Sequence, residues 1–275
     1  MAYFSWIANS GGYGAYVVSG VDSDRSIFLH MYGTGSDPLD RALLADSVGD
    51  TYTLGFLGDY IVAGAGDDLL YGGTSATGVV GGGVDALFGG SGADRIEGGV
   101  GADRMSGGAG SDWLFYQRSR GGVYVDLALN KADSIGFVIN DAYGDIIDSF
   151  ENVAGSQYGD QLVGNDLDNE LNGLGGNDTL SGGAGYNQLR GAEGNDLYIL
   201  GVGRDWITDN SGFDTVRFTN ASSINFNTNS SSGDPSNDLW NDTDMERFEG
   251  SAGNDSIILT ITGGGAKQLI GGAGN

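Results

Sequence analysis

Apolar residues recur along two stretches of the chain with a period of nine residues. In residues 155–217 the recurring position holds Leu162, Leu171, Leu180, Leu189, Tyr198, Ile207 and Val216. An α-helix cannot hold residues at this spacing on one face, so the period is not helical. Each apolar residue and its two neighbours have the pattern of a three-residue strand whose central side chain points inward. The pattern therefore predicts a coil of very short strands.

A glycine-rich turn precedes each predicted strand, in the pattern G-G-x-G-x-D-x-U-x, where U is the apolar position. The clearest copies are residues 89–97 (GGSGADRIE), 98–106 (GGVGADRMS) and 107–115 (GGAGSDWLF). Glycine accepts the positive φ angles of such turns. Two blocks would form one coil of a flattened superhelix, and successive coils would stack about 4.8 Å apart. Residues eighteen apart would then lie above one another.

This stacking sorts the sixth-position residues into ladders. The second array predicts one ladder of Asp160, Asp178, Asp196 and Asp214 and an opposite one of Asn169, Asn187 and Asp205. The first array predicts Asp50, Asp68, Asp85 and Asp103 on one edge and Asp59, Thr77, Asp94 and Asp112 on the other. Two carboxylates about 5 Å apart repel by roughly 3 kcal/mol at an effective dielectric near 20. We therefore expect cations between the rungs.

Oxygen ligands without thiols favour calcium over zinc or copper, and magnesium would require a tighter octahedral arrangement. The predicted ligands of several Ca²⁺ ions are Asp59, Asp68, Asp85, Asp94, Asp103, Asp112, Asp160, Asn169, Asp178, Asn187, Asp196, Asp205, Asp214 and Asp255. The two asparagines keep an oxygen donor without its charge, so we expect weaker binding on their edge. The block that contains Thr77 is one residue short, which predicts a local irregularity.

The nonapeptide resembles the RTX, or haemolysin-type, calcium-binding repeat, and the resemblance covers about half of the chain. It implies a parallel β-roll in which the sixth-position aspartates and turn carbonyls hold calcium between successive turns. It also implies export by a type I secretion system. The expected fold class is thus all-β, a calcium-bound β-solenoid with two main repeat arrays joined by irregular β segments.

Six segments can be distinguished along the chain. Residues 45–115 and 155–217 form the two arrays, 116–154 an intervening β segment, 218–249 an intervening segment with a loop, and 250–275 the start of a third array. Residues 1–44 are interpreted as a small β-rich cap or the remnant of another domain. Within them, 15–18 and 27–31 are predicted strands, and Pro38, Leu39, Leu43 and Leu44 predict a short helix. The chain ends at GGAGN, which predicts a fragment cut through a repeat.

A longer repeat of about a hundred residues is also visible, as in tandem solenoids. Phe150-Glu151 and Phe248-Glu249 each lead into a block of the form G-S-x-x-x-D, at residues 155–160 and 250–255. The intervening residues 123–127 alternate apolar and polar side chains, and residues 145–148 can continue the coil. We therefore expect the solenoid to continue through the segment between the arrays.

The composition favours acidic residues at defined positions of the repeat rather than a generally acidic surface. The 275 residues include 53 Gly, 2 Pro and no Cys, and 31 of the 37 acidic residues are Asp, with a net charge of −25. The charge disfavours nucleic-acid binding, and no apolar run is long enough for a membrane span. Without calcium we expect a disordered chain, so that calcium binding and folding would be one process.

The chain contains no motif that predicts catalysis. H-E-x-x-H and G-x-S-x-G are absent, and His30 is the only histidine, so no enzyme is expected. Trp113 and Trp206 suggest stacking against a cell-surface or matrix polysaccharide, although packing against neighbouring segments is the simpler interpretation. We expect a calcium-folded segment of a secreted or cell-surface bacterial protein with a structural or adhesive role. The alternative is the accessory repeat region of a secreted enzyme or toxin whose catalytic domain lies elsewhere.

Overall fold

Every regular element that the structure describes is a β-strand. The computed structural model describes residues 3–8, 14–19, 26–28, 42–44, 51–53, 60–72, 83–136, 139–201, 204–209, 211–219, 224–227, 239–240, 245–251, 257–260 and 268–271. Within these ranges there is no helix that could cross a membrane. The chain divides into two compact units: unit 1 comprises residues 1–119 and 129–152, and unit 2 comprises residues 120–128 and 153–275.

The strands of unit 1 are β1 (Tyr3–Ala8), β2 (Gly14–Ser19), β3 (Ser26–Phe28), β4 (Ala42–Leu44), β5 (Thr51–Thr53), β6 (Tyr60–Ala65), β7 (Leu69–Tyr71), β8 (Ala86–Gly92), β9 (Arg95–Glu97), β10 (Arg104–Gly110), β11 (Trp113–Phe115), β13 (Lys131–Ser134) and β14 (Ile146–Asp148). They form two sheets, in the orders β1-β2-β4-β6-β8-β10-β14-β13 and β3-β5-β7-β9-β11. The pairs β1/β2 and β13/β14 are antiparallel, whereas the repeat strands pair in parallel.

The strands of unit 2 are β12 (Val123–Asp126), β15 (Asn152–Ala154, which begins at the last residue of unit 1), β16 (Gln161–Val163), β17 (Glu170–Gly175), β18 (Thr179–Ser181), β19 (Tyr186–Glu193), β20 (Leu197–Leu200), β21 (Arg204–Thr208), β22 (Asp214–Phe218), β23 (Ile224–Asn227), β24 (Leu239–Trp240), β25 (Met245–Glu249), β26 (Ile257–Thr260) and β27 (Gln268–Ile270). Their orders are β12-β16-β18-β20-β22-β25-β27, β15-β17-β19-β21-β24 and β23-β26. Strands consecutive along the array alternate between two sheets, as a parallel β-roll requires.

The eighth-position side chains form the core of each unit, as the nine-residue period predicts. All seven predicted core residues of the second array, from Leu162 to Val216, are at most 1 % exposed. In unit 1 the same position holds Ile61, Leu70, Leu87, Ile96, Met105 and Leu114, which are equally buried. Each central side chain points between the two sheets because successive residues of a strand point to opposite faces.

Turn glycines allow the coils to stack closely. Gly90 and Gly108 lie above one another, with φ angles of +116° and +111°. A Cβ atom at Gly108 would lie 2.1 Å from the carbonyl oxygen of Gly90. Both the backbone conformation and the approach of the next coil therefore require glycine at the second position of the block.

Most neighbouring coils are offset by eighteen residues, but one is longer. Leu87 pairs with Met105, and Leu162 pairs with Leu180, at the predicted offset. Ile61, by contrast, pairs with Leu87, 26 residues away, and β7 pairs with β9 at the same offset. The chain therefore has a coil of irregular length where the short block was noted, and Thr77 itself lies outside the described residues.

The N-terminal strands are continuous with the sheets of unit 1. β2 and β3 confirm the two predicted strands, with bounds that differ by a few residues. The prediction of a helix through Leu43 and Leu44 is wrong, because both lie in β4, between β2 and β6. Pairing with strands distant in sequence decides the conformation of Leu43 and Leu44, and local helix signals do not predict such pairing.

The segments between the arrays also continue the coil. Val123 and Val125 are fully buried in β12, which pairs in parallel with β16. Ile147 in β14 pairs with Met105 of the first array and is 1 % exposed. Both predicted strands are thus confirmed, and they keep the inward side chains of the arrays in register.

Candidate metal centre

A ladder of buried aspartates lies beside the short strands of unit 2. Asp160, Asp178, Asp196 and Asp214 are at most 2 % exposed. The backbone N–H of Asp160 donates to Oδ1 of Asp178 at 2.7 Å, and the two later steps repeat this contact at 2.8 Å. The structure confirms the predicted order of this ladder, and it shows that one carboxylate oxygen of each rung accepts a hydrogen bond from the preceding coil.

Unit 1 contains two ladders of the same design, but the predicted sorting of one residue is wrong. Asp68 donates its N–H to Oδ1 of Asp94, and Asp94 to that of Asp112, both at 2.8 Å. In the other ladder, the backbone N–H of Asp85 donates to Oδ1 of Asp103, also at 2.8 Å. Asp68 was expected to stack with Asp85 and Asp103. The 26-residue coil moves it instead to the opposite edge, beside Asp94.

The second carboxylate oxygen of most rungs is buried and accepts no hydrogen bond from the described residues. This holds for Oδ2 of Asp94, Asp103, Asp112, Asp178, Asp196 and Asp214. A buried carboxylate oxygen without a partner is costly, and buried polar atoms in proteins are nearly always satisfied. Six equivalent positions thus present a buried carboxylate oxygen whose charge a cation would balance.

Five of these oxygens, all except that of Asp214, face the first glycine of their own block, and carbonyl oxygens of the neighbouring coil lie close to some of these glycines. A Cβ atom at Gly89 would lie 2.2 Å from Oδ2 of Asp94 and 2.7 Å from the carbonyl oxygen of Gly107. A Cβ atom at Gly173 would lie 2.0 Å from Oδ2 of Asp178. Carboxylate and carbonyl oxygens thus converge on one side of the turn. Such a set of hard oxygen ligands fits calcium.

Burial raises the pKa values of the ladder carboxyl groups. It raises the pKa of Asp178 from 3.8 to about 8, although the hydrogen bond from Asp160 lowers it in part. Burial likewise raises the pKa of Asp103 and Asp214 to about 7 and that of Asp94 and Asp196 to about 6. Neighbouring carboxylates add to the effect in each of these cases. The ladders therefore require either protons or cations.

The opposite edge of unit 2 satisfies its polar atoms without a cation. The N–H of Asn169 donates to Oδ1 of Asn187 at 3.0 Å, which confirms this ladder as well. Nδ2 of Asn187 donates to Oδ1 of Asp205 at 2.8 Å and to the carbonyl oxygen of Ala184 at 3.0 Å. The amide nitrogen of Asn187 thus takes the place that Oδ2 has in the aspartate rungs, against the first glycine of its block. The weaker calcium binding expected on the asparagine edge stays a prediction.

Asp160 differs from the rungs that follow it. Its Oδ1 accepts hydrogen bonds from the N–H of Val123 at 2.7 Å and from Oγ of Ser156 at 2.8 Å. Its Oδ2 accepts the N–H of Ser156 at 2.6 Å. Both oxygens are therefore satisfied by the protein, so Asp160 fits a metal ligand less well than Asp178 does.

Glutamates accept a hydrogen bond from the last aspartate of two ladders, a contact that the nine-residue pattern does not predict. The N–H of Asp112 donates to Oε2 of Glu151 at 2.9 Å, and that of Asp214 to Oε2 of Glu246 at 3.0 Å. Glu151 thus corresponds to Glu246 and not to Glu249. The signal in the sequence is the spacing E-x-x-x-G-S, which both Glu151 and Glu246 begin. The two Phe-Glu pairs, Phe150-Glu151 and Phe248-Glu249, are therefore not equivalent in the structure.

A second set of side chains, at the fifth position of the block, also joins the coils, and the predicted ladders did not include them. Oδ1 of Asn177 accepts the N–H of Asn195 at 2.8 Å, and Oδ1 of Asn195 accepts that of Phe213 at 2.7 Å. Asp67 and Asp168 accept equivalent bonds from the following coil. Fifth-position side chains therefore bond the following coil, whereas sixth-position side chains bond the preceding one. The sequence signal is the recurrence of Asn or Asp directly before the sixth position.

The remaining predicted residues are placed as follows. Asp59 and Asp255 lie outside the described residues. Trp113 stacks on Phe115 with the ring centroids 5.6 Å apart, as expected for a packing role. Trp206 is 45 % exposed in unit 2. The two tryptophans predicted together therefore have different surroundings.

Comparison with known protein families matches residues 55–76, 79–114, 155–189, 163–198 and 172–207 to the RTX calcium-binding nonapeptide repeat. A search of curated proteins finds no match to the chain. The matched repeat is a calcium-binding motif and not a catalytic one. The matches cover the ladder residues described above in both units, except Asp214. The chain therefore carries the calcium-binding repeats of the RTX family, folded as a parallel β-roll.

Proposed function

We propose that the buried aspartate ladders of this chain bind calcium ions and that this binding folds a structural or adhesive segment of an extracellular or cell-surface bacterial protein. The observation that carries the proposal is the set of six buried Oδ2 atoms without a donor among the described residues. Because burial raises the pKa of these carboxyl groups, a divalent cation stabilises the ionised ladder where water cannot.

The proposed ligands differ in how well they fit a calcium ion. Asp94, Asp103, Asp112, Asp178, Asp196 and Asp214 are the principal ones, because each has a buried oxygen that no described residue satisfies. Asp68 and Asp85 belong to the same ladders. Asp160, Asn169, Asn187 and Asp205 have hydrogen-bond donors within the protein and are proposed as secondary ligands. Asp59 and Asp255 are proposed from their sequence positions alone.

A calcium titration followed by circular dichroism tests the proposal. The chain should gain β-structure cooperatively when calcium is added to metal-free protein, and magnesium at equal concentration should have little effect because it demands a tighter octahedron. We expect dissociation constants on the order of 10⁻⁴ to 10⁻³ M, as in other extracellular modules. Full β-structure in excess chelator, unchanged by calcium, would rule out calcium-driven folding.

The alternative proposal places this chain beside a catalytic domain, as the accessory repeat region of a secreted enzyme or toxin. The matched repeats are compatible with both proposals, and both would use a type I secretion route. The adjacent coding sequence distinguishes them. A catalytic domain in the same reading frame supports the accessory role, and further repeats support the structural one.

A second candidate function, polysaccharide binding, is favoured by an exposed aromatic surface in unit 2. An open cavity of about 490 Å³ is lined by Tyr186, Asn187, Gln188, Arg204, Asp205 and Trp206. The Arg204 guanidinium carbon lies 5.1 Å from the centroid of the Tyr186 ring. Aromatic faces beside hydrogen-bonding groups suit sugar rings. Trp206→Ala should abolish binding to a panel of soluble polysaccharides, whereas Trp113→Ala should not, and equal binding by both variants would contradict this candidate.

A further inference from the structure

Asp209 interrupts the glycine pattern of unit 2 at a position where a side chain changes the ladder. Its block, residues 209–217, reads DNSGFDTVR, so an aspartate takes the first position. The preceding blocks on the same edge hold Gly155, Gly173 and Gly191 at this position, and a Cβ atom at each would lie within 2.2 Å of Oδ2 of the sixth-position aspartate of the same block. A carboxylate at this position therefore brings a negative charge, and not only additional volume, close to the ladder.

Asp209 forms a compact group with two rungs of the ladder. Carboxylate oxygens of Asp196, Asp209 and Asp214 all lie within 4.8 Å of one another. The three residues are at most 2 % exposed. Oδ2 of Asp196 and Oδ2 of Asp214 are among the buried oxygens that accept no hydrogen bond from the described residues. Three buried carboxylates at this distance repel strongly unless a cation lies among them.

Tyr198 fixes the position of the added carboxylate. Its hydroxyl donates to Oδ2 of Asp209 at 2.5 Å and accepts the N–H of Gly191 at 2.8 Å. Tyr198 occupies an eighth, inward position and is fully buried. The other six inward residues of this array, from Leu162 to Val216, are aliphatic. The unusual tyrosine and the unusual aspartate therefore act as a pair, because one hydroxyl holds one carboxylate beside the ladder.

We infer that Asp209 joins Asp196 and Asp214 in a three-carboxylate calcium site that binds its ion more tightly than the other steps of the ladder and fills first. The inference rests on the proposed calcium binding and adds a ligand outside the sixth positions. Calcium affinity rises with the number of charged ligands and with the rigidity of the site. At the ladder step between Asp178 and Asp196, with Gly191 at the first position, no third carboxylate of the described residues forms such a compact group.

Calorimetric titration of the full chain with calcium tests the assignment. Asp209→Asn removes the charge, and Asp209→Gly restores the residue found in the preceding blocks. Both should weaken the tightest binding step by about tenfold and leave the number of bound ions unchanged. Asp166→Asn is the matched control, because it removes one exposed charge from the same unit. It should leave the tightest step unchanged.

Terbium luminescence locates the same site independently. At low occupancy, terbium bound at this site should emit light after energy transfer from the Tyr198 ring, whose hydroxyl bonds Asp209. Tyr198→Phe should remove most of this emission. Equal first-step affinity in the original chain and in both Asp209 variants would overturn the three-carboxylate site while calcium binding as such still stands. Full emission from Tyr198→Phe at the same terbium concentration would overturn it as well. Absence of any calcium binding by the original chain would instead refute the proposed function.

Discussion

The two oxygens of most ladder aspartates have different surroundings. Oδ1 of Asp178 accepts the N–H of Asp160 and so joins two coils, whereas Oδ2 accepts no hydrogen bond from the described residues. A neutral side chain with an oxygen can perform the first task. The second task, in the proposed calcium site, is to balance the charge of a buried cation, and only an ionised carboxylate can do so.

Asp178→Asn separates these two tasks. The amide oxygen can still accept the N–H of Asp160, but the charge opposite the proposed ion is lost. We expect the calcium concentration at the midpoint of folding to rise by about fivefold. Circular dichroism during a calcium titration measures this midpoint. Asp168→Asn is the control, since Asp168 is exposed and its acceptor oxygen would be retained. Equal shifts in both variants would show that the charge at position 178 has no special role.

Gly173→Ala tests the close approach of the turn to the carboxylate. The new Cβ would lie 2.0 Å from Oδ2 of Asp178, so the carboxylate would have to move. We expect a loss of about 1–3 kcal/mol in the free energy of unfolding in calcium, the usual cost of overpacking. The φ angle at Gly173 is not positive, so backbone strain does not contribute.

Gly201→Ala is the matched control for this substitution. The nearest atom to its Cβ would be Oγ1 of Thr219 at 3.7 Å, an ordinary contact. We expect a change within about 0.5 kcal/mol of zero in chemical denaturation. A similar loss of stability in both variants would mean that glycine is required for backbone reasons and not for the carboxylate.

At the scale of the coil, the two edges of unit 2 have different chemistry. On one edge, Oδ2 of Asp178, Asp196 and Asp214 accepts no hydrogen bond from the described residues. The other is closed by the amide of Asn187, which donates to Asp205. Strands of both sheets end in the same kind of turn, so the backbone does not cause the difference. The exchange of one oxygen for an amide nitrogen converts a site for a cation into a hydrogen bond.

Asn187→Asp should therefore create a calcium site on the amide edge. It removes the donor to Asp205 and places two buried carboxylates together, which should destabilise the metal-free roll and favour a cation. We expect one additional bound ion, measured by equilibrium dialysis with metal analysis. Asn177→Asp adds the same charge at an exposed fifth position and should add no ion. An unchanged ion count in Asn187→Asp would show that the edge cannot adopt a metal site.

For the whole molecule, acid and calcium should act as alternative means of neutralising the same groups. The chain has a net charge of −25, and many of its carboxylates are buried. Burial raises the pKa of Asp103 and Asp214 to about 7 and of Asp178 to about 8. The metal-free fold therefore binds more protons than the unfolded chain between the ordinary pKa of 3.8 and these raised values.

Stability of the metal-free chain should consequently fall as the pH rises. It is greatest below the unfolded pKa near 4 and is lost as the pH passes through the folded values, between about 6 and 8. Calcium displaces these protons, so the calcium midpoint should move to higher concentration as the pH falls. The β-signal in circular dichroism in chelator reports the folded fraction of metal-free chain, and calcium titrations report the midpoint; each at pH 5, 6, 7 and 8, they measure both trends. Metal-free stability that rises toward pH 8 would contradict the buried carboxyl ladders.

The repeat made the core and most ladder contacts predictable, because each depends on a fixed spacing along the chain. The seven inward residues from Leu162 to Val216 are buried, as the period requires. The predicted ladder is formed by Asp160, Asp178, Asp196 and Asp214. Leu43 and Leu44 were predicted wrongly, because their conformation depends on pairing with β2 and β6. Local propensity carries no information about such distant partners.

The sequence by itself determined the coil, its apolar interior and the hard oxygen ligands, since all three follow from residue types repeated every nine positions. Only the tertiary structure decided which rungs lie together where the period fails. The 26-residue coil moved Asp68 beside Asp94, and the contacts of Glu246 and Asp209 with the ladder depend on the side chains that meet across coils. The physical reason is that a spacing predicts stacking only while the coils keep one length, whereas hydrogen bonds and charge pairs depend on distance in space.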